Sequence, residues 1–183
     1  ENGKKGQKLE CPFSKNIIGN IKTSIIVLEK GVLDRGEEVI LLLDQAYTQE
    51  NFERLKKSLP PLTLDGQLSK AAQEKAEQML AKNYWAHSSP AGKTPWSFIL
   101  SSGYEYTYAG ENLARDFDST NGVVTAWMNS TGHRNNILSS NYQDIGFAVV
   151  NGKLNGQETT LIVQLFGARK GGSLVALPPP QEK

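Results

Sequence analysis

The sequence predicts an α+β domain in which helices come first and an antiparallel hairpin comes last. Apolar residues at helical spacing dominate the first half of the chain, whereas runs rich in β-branched residues lie near its C-terminal end. No strand–helix–strand alternation, which would indicate a parallel sheet, connects them. With 183 residues, 38% hydrophobic and 21% charged, the chain has the size and composition of one globular domain.

Both ends of the chain are predicted to lie outside this domain, which we place at residues 36–170. Residues 1–35 are first polar and then carry the segment NIIGNIKTSIIVLEK, which favours strands or an extended arm. Residues 171–183 contain three consecutive prolines and are predicted to form a tail. The sequence begins at Glu1 and not at methionine, which fits a processed protein from which a signal peptide or anchor has been removed.

The first two helices follow from their apolar residues and their termini. Apolar residues that include Phe52 and Leu55 recur ahead of a Pro-Pro pair and predict a helix over 36–58. Asp65 is a favourable N-cap for a second helix, which should end near residue 83. In that helix Lys75 is predicted to face away from the core. The predicted core stripe consists of Leu68, Ala72, Ala76, Met79 and Leu80.

Two shorter helices and a hairpin complete the predicted fold. A Thr-Pro start and a glycine stop predict a helix over 94–103, and buried apolar residues predict another over 120–129. Strands are predicted at 145–150 and 159–168, because the connecting NGKLNG contains two Asn-Gly pairs, which are hairpin signals. The segment LARDF is predicted to supply a third strand.

Charge and cysteine content exclude several classes of protein. The 20 basic and 19 acidic residues give a net charge of +1, which argues against a nucleic-acid-binding surface. No run approaches the roughly 20 apolar residues of a membrane span. The single cysteine, Cys11, excludes an intrachain disulfide; its KLEC context weakly resembles a lipoprotein attachment site, but an ordinary free thiol is favoured.

Three residues between positions 87 and 133 are candidates for binding or chemistry. His87 precedes a Ser-Ser-Pro turn, so it is either a presented side chain or a histidine that ties down a loop. His133 is predicted to lie just past the end of the 120–129 helix, where the alternative is a simple capping role. Glu111 lies among small and apolar residues, so it is either paired with a histidine or metal, or exposed in a turn.

Compact catalytic motifs are absent from the sequence. There is no HExxH pair that would place two histidines on one helix face, so any shared metal site must be assembled by the fold. Ser130 lies close to His133, but no GxSxG nucleophile elbow accompanies it. The sequence therefore contains residue types that a hydrolase uses, but none of the motifs that would indicate a hydrolytic site.

The motifs in their order resemble a known family. PPLTLDGQLSKAAQEKAEQML, YWAHSSPAGKTPW, YAGENLA, AWMNSTGHRNNIL, YQDIGFAVV and VQLFG together are similar to the CAP superfamily, also called the SCP or PR-1-like domain, in its disulfide-free bacterial form. The resemblance covers about residues 38–168. It implies an α-β-α sandwich with a central three-stranded antiparallel sheet flanked by helices, and usually secretion.

The resemblance also implies a wide cleft that many members line with two histidines and two glutamates able to hold a divalent metal. His87 and His133 match the histidines, and Glu111 matches the glutamate of the GEN motif. Ser130 stands where many eukaryotic members have the second glutamate. Zinc or another divalent ion is therefore expected to bind weakly through His87 and His133, with Glu111 either a direct ligand or the partner that orients a histidine.

We therefore expect an extracellular or cell-surface binding domain, without catalysis, whose cleft holds a divalent metal or a small lipid, peptide or glycan ligand. The predicted cleft residues are His87, Glu111, Asn112, Ser130, His133 and Arg134. One alternative is a hydrolase of extracellular peptide or envelope material that uses Glu111, His87, His133 or Ser130. The other is a structural or adhesive surface module, in which the histidines only brace the fold.

Overall fold

The computed structural model describes residues 46–171, so the predictions for residues 1–45, including Cys11, and for residues 172–183 lie outside the described part. Helix α1 is helical over the described residues 46–55. The other elements are β1 (Thr63–Leu64), α2 (Gly66–Ala81), α3 (Pro95–Ser101), β2 (Tyr106–Arg115), α4 (Thr120–Asn129), α5 (Thr131–Ile137), β3 (Asp144–Leu154) and β4 (Gln157–Arg169). None of the helices in this part is long and apolar enough to cross a membrane.

The sheet has four strands in the order β1-β3-β4-β2. β4 pairs antiparallel with both β3 and β2, as the sequence predicts. The prediction of three strands was wrong by one, because β1 adds two residues parallel to β3. A two-residue strand contains too little alternation to be recognised in a sequence.

Helices cover both faces of the sheet, which confirms the α-β-α sandwich. On one face α2 and α3 pack over the odd-numbered residues of β4, Leu161, Val163 and Leu165. On the other face α1, α4 and α5 pack over the even-numbered residues of β4, among them Phe166. Because successive side chains of a strand point to opposite faces, β4 contributes to two separate hydrophobic cores. The Asn155-Gly156 pair turns the β3–β4 hairpin with positive φ at both residues, as a tight hairpin turn requires.

Helix α2 confirms the prediction made from its cap and stripe, with one exception. The Asp65 carboxylate accepts hydrogen bonds from two main-chain N–H groups of the first turn, and Leu68 and Met79 are fully buried. Lys75, however, is also fully buried, so its predicted outward orientation was wrong. Its ammonium group has acceptors inside the protein, which removes the penalty that normally keeps lysine at the surface.

The buried face of α1 is partly polar, which the sequence analysis did not predict, although Ala46 packs in the core there. Phe52 and Leu55 are 57% and 61% exposed, whereas Glu50 and Arg54 are fully buried. The Arg54 guanidinium donates to the carbonyl of Pro60, in the loop after α1, and to those of Ile137 and Ser139, at the end of α5. The buried arginine therefore ties α1 to the loop that follows it and to the end of α5.

Candidate functional site

His87 and Glu111 form a short hydrogen-bonded pair at the edge of the sheet. Glu111 lies in the middle of β2, and not in a turn, with its side chain on the α2 face. Its Oε1 lies 2.6 Å from Nδ1 of His87. Because a carboxylate only accepts hydrogen bonds, His87 carries a proton on Nδ1 and turns Nε2 outward. The His87 side chain is 63% exposed, while that of Glu111 is 2% exposed.

Lys75 supports this pair from below. Its Nζ donates to the carbonyls of Ala86 at 3.3 Å and His87 at 2.5 Å, and lies 3.5 Å from Oε2 of Glu111. Two of these contacts are hydrogen bonds, whereas Oε2 of Glu111 is held only by the attraction of the opposite charge. Lys75 therefore holds both the main chain of His87 and the carboxylate that holds its ring.

Burial acts on both charges of this ion pair. Desolvation raises the pKa of Glu111 above its usual value, and the nearby charges of Lys75 and His87 oppose the rise. Desolvation likewise lowers the pKa of Lys75, against the attraction of Glu111. The hydrogen bonds from Lys75 to two main-chain carbonyls favour its charged form. The floor of the site is thus a compensated ion pair with no net charge.

His133 lies past the end of α4, as predicted, and in the first turn of α5, a further helix that the sequence analysis did not predict. Ser130 both ends α4 and begins α5, and its Oγ lies 2.8 Å from Nδ1 of His133. Burial lowers the pKa of His133, and the charge of His87 lowers it further. A helix N-terminus also disfavours the charged imidazole. His133 therefore loses its proton more readily than an ordinary histidine.

The other two predicted site residues play supporting roles. Asn112 is fully buried, and its Nδ2 donates to Oε1 of Gln164 and to the carbonyl of His133. Arg134 turns away from the histidines and donates to the carbonyl of Met128 at 2.9 Å, at the end of α4. Asn112 therefore braces the site from behind, and Arg134 fixes the junction between the two helices.

An open cleft of about 390 Å³ lies in front of His87. Its wall is formed by His87, Ser88, Pro95, Trp96, Ala109, Gly110, Glu111, Asn136 and Tyr142. Two side chains close the edge of β2 there, because Asn136 donates to the carbonyl of Glu111 and Tyr142 to that of Ala109. A Cβ at Gly110 would collide with the Tyr142 hydroxyl, so this position needs glycine. The cleft is lined by both polar and apolar residues, and Trp96 and Tyr142 contribute aromatic rings to its wall.

The described residues offer fewer donor atoms at this site than a tightly held zinc ion uses. Nδ1 of each histidine is engaged, by Glu111 and by Ser130, which leaves one nitrogen per ring without a partner among the described residues. Glu111 stands behind His87 as its hydrogen-bond partner and not beside it as a ligand. Within residues 46–171 no group of three or more His, Cys, Asp or Glu is arranged to hold a metal, whereas zinc sites use three or four protein ligands.

Sequence reasoning missed Lys75, Trp96 and Tyr142. The apolar pattern of α2 predicted that Lys75 faces away from the core. Its burial is explained by its ion pair with Glu111 on β2, which the pattern of one helix does not reveal. Trp96 follows the Thr-Pro start of α3 and could have been noticed as an aromatic residue beside the YWAHSSP segment. Tyr142 had no local signal, because it reaches the cleft from the loop between α5 and β3.

Comparisons with known proteins agree with this architecture. The sequence model described as the cysteine-rich secretory protein family, CAP, matches residues 50–166. The uncharacterized protein YkwD of Bacillus subtilis is 46% identical over 100 residues, which are 55% of this chain and 39% of YkwD. The chain thus spans less than half the length of this curated relative.

Two solved structures share the fold at 26–28% sequence identity. An outer surface protein of Borrelia burgdorferi is 28% identical with a TM-score of 0.64, covering 75% of this chain and 97% of that protein. An extracellular protein containing an SCP domain, from Bacillus anthracis, is 26% identical with a TM-score of 0.62. That match covers 77% of this chain and 45% of the other.

Proposed function

Since this chain belongs to the cysteine-rich secretory protein (CAP) family, we propose that it is an extracellular or surface domain that binds a small ligand in the His87 cleft. The ligand carries an anionic oxygen group, a carboxylate or a phosphate, which accepts a hydrogen bond from Nε2 of His87 when both ring nitrogens carry protons. The location is supported by the names of two matched proteins, one an outer surface protein and one an extracellular protein.

The proposal rests on the contrast in solvent exposure between the His87 side chain and the two side chains that hold it. His87 is 63% exposed, yet the two charged groups that hold it, Glu111 and Lys75, are 2% and 0% exposed. A buried ion pair is costly to form, so its use behind an exposed ring favours orientation of that ring towards a ligand. Because Lys75 compensates Glu111, the cleft floor does not repel an anion.

Binding calorimetry with inorganic phosphate and with acetate tests the proposal. Wild-type protein should bind one or both in a saturable way, and His87→Ala should abolish the heat. Arg134→Ala is the matched control, because it removes a cation on the neighbouring helix that faces away from the cleft. Equal binding by wild type and His87→Ala would refute the proposed site, and no binding by wild type would refute the ligand class.

A divalent cation is a second candidate ligand, because each of His87 and His133 keeps one nitrogen without a partner among residues 46–171. Two imidazoles and water would form a weak site with a pH-dependent affinity. Zinc calorimetry should then show one site that is lost in both His87→Ala and His133→Ala. Heat that persists in either variant would exclude a shared ion.

Hydrolysis has one specific observation in its favour, the 2.8 Å contact between Ser130 Oγ and the readily neutral His133. A serine nucleophile needs a base that is itself oriented by a third group, and the carboxylate of Glu111 is committed to His87 instead. We therefore place binding ahead of hydrolysis. Covalent labelling of wild type, but not of Ser130→Ala, by a fluorophosphonate would reverse this order.

A further inference from the structure

A one-directional chain of side-chain amides crosses the protein behind the cleft. Nδ2 of Asn136 donates to Oδ1 of Asn112 at 2.8 Å, and Nδ2 of Asn112 donates to Oε1 of Gln164 at 2.8 Å. Nε2 of Gln164 then donates to Oε1 of Glu50 at 2.5 Å. We call these four residues the amide relay. They lie on α5, β2, β4 and α1, so the relay joins four elements.

The direction of the relay is fixed at its Asn136 end, where the main-chain carbonyl of Glu111 can only accept. There Asn136 donates to this carbonyl. At the other end Glu50 presents a carboxyl oxygen to Gln164. Flipping any amide in between would place donor against donor or acceptor against acceptor. The relay therefore has one satisfied arrangement.

The cost of the relay is unusual for a purely structural contact. Glu50, Asn112 and Gln164 are all fully buried on the sheet face that faces α1 and α5. Oε2 of Glu50 and Nη2 of the nearby Arg54 have no hydrogen-bond partner among the described residues. An apolar pair at positions 50 and 164 would avoid this penalty. What the polar residues supply is a defined distance between the elements that they join.

Asn112 connects the relay to both halves of the site. It follows Glu111 in β2, and its Nδ2 also contacts the carbonyl of His133 at 3.3 Å. The neighbouring amide of Asn136 holds the carbonyl of Glu111. Any change in the position of Asn112 therefore moves the His133 helix relative to the Glu111 strand.

We propose that Glu50 and Gln164 are positioning residues that, through Asn112, hold α5 against β2 and so set the position of His133 relative to His87. Neither Glu50 nor Gln164 is among the residues that line the cleft. The inference rests on the proposed binding function for the meaning of this position, but its test needs no ligand.

The test compares variants that cut the relay with one that preserves it. Gln164→Leu and Glu50→Leu remove a hydrogen-bonding partner at similar volume, whereas Glu50→Gln keeps an oxygen that can accept from Gln164. Met79→Ala is the control for lost stability alone, because Met79 is fully buried in the other core, beneath α2. If Gln164→Leu does not fold, Gln164→Asn replaces it. This variant shortens the side chain by one methylene, so it breaks the same contacts while it keeps an amide group.

Two readouts separate positioning from stability. The chain has two histidines, so ring C–H signals in NMR spectra report on His87 and His133 individually. Amide hydrogen exchange reports on local opening of α5. The cutting variants should shift the His133 signal and speed exchange in α5 by about tenfold relative to α2. Glu50→Gln should match wild type in both readouts, and Met79→Ala should leave the His133 signal unmoved.

An unmoved His133 signal in the cutting variants, or an equal shift in Met79→Ala, would overturn the positioning role. If phosphate binding at His87 persists in that case, the failure belongs to the relay alone. If the wild-type protein does not bind phosphate, the relay result still stands, since neither readout uses a ligand.

Discussion

Removing the charge of Lys75 should destabilise the domain strongly and in a pH-dependent way. Lys75→Met keeps a side chain of similar length in a fully buried position but deletes the ammonium group. The carbonyls of Ala86 and His87 then lose their donor, and Glu111 loses its counter-charge. The loss at Glu111 takes place in a buried position, where water does not readily replace the ammonium group.

The magnitude follows from the ion pair and the two carbonyl contacts. Removing one partner of a buried ion pair costs about 3–5 kcal/mol, because the other charge stays buried without compensation. A hydrogen bond to a charged group contributes about 1.5–3 kcal/mol, and the terms are not additive. We therefore expect Lys75→Met to lower the free energy of unfolding by about 3–5 kcal/mol near neutral pH.

The sign of the pH dependence comes from Glu111. Lys75 lowers the pKa of Glu111, so its removal raises that pKa beyond the rise already caused by burial. The folded variant then binds a proton that the unfolded chain, with a pKa of about 4.3, has released. Its stability falls as pH rises from that value through the folded-state pKa. The deficit relative to wild type should be larger at neutral pH than at about pH 4.

Urea unfolding followed by circular dichroism at several pH values measures this effect. The double variant Lys75→Met with Glu111→Gln should be less destabilised than the sum of the single variants, by about 1–3 kcal/mol, because both charges are gone. Additive single effects, or a deficit that does not change with pH, would refute the buried ion pair. A loss below about 1 kcal/mol would mean that Lys75 is solvated.

Two further predictions concern other buried contacts. Burial raises the pKa of Glu50 from 4.5 to about 8, so the folded state keeps a proton that the unfolded chain loses, and stability should fall across this range by up to about 5 kcal/mol. Glu50→Gln should flatten that slope in urea unfolding between about pH 5 and pH 9; an unchanged slope would assign it to other groups. A Cβ at Gly146 would collide with the main chain of Leu68 and Ser69, so Gly146→Ala should lower the melting temperature by several degrees. Gly132→Ala meets nothing within 4 Å and is the matched control, so equal effects of the two would contradict the close approach of α2 to β3.

Elements with a local cause were predictable from the sequence. The Asp65 cap accepts two N–H groups at the start of α2, where the sequence placed it. The Asn155-Gly156 pair turns the hairpin because both residues adopt positive φ. The other Asn-Gly pair lies inside β3, so the dipeptide signal alone did not choose between them. The choice depends on register, which is set by pairing with β4.

Elements defined by long-range polar contacts were not predictable. A lysine or glutamate within a helix is normally assigned to the solvent side, because burying it alone is costly. Lys75 and Glu50 are buried since their partners, Glu111 and Gln164, arrive from strands far along the chain. Gln164 and the carbonyls that accept from Arg54 likewise account for the buried polar residues of α1. Pattern analysis finds the histidines and Glu111 but not the groups that orient them.

The central claim is that His87, held by a buried ion pair, receives an anionic oxygen of a ligand. Its most direct test is an NMR titration of the wild-type protein with inorganic phosphate, following the ring signals of the two histidines. The account predicts a saturable shift of the His87 signal that Glu111→Gln weakens and Arg134→Ala leaves unchanged. A His87 signal that does not respond to phosphate, or that responds equally in Glu111→Gln, would contradict it.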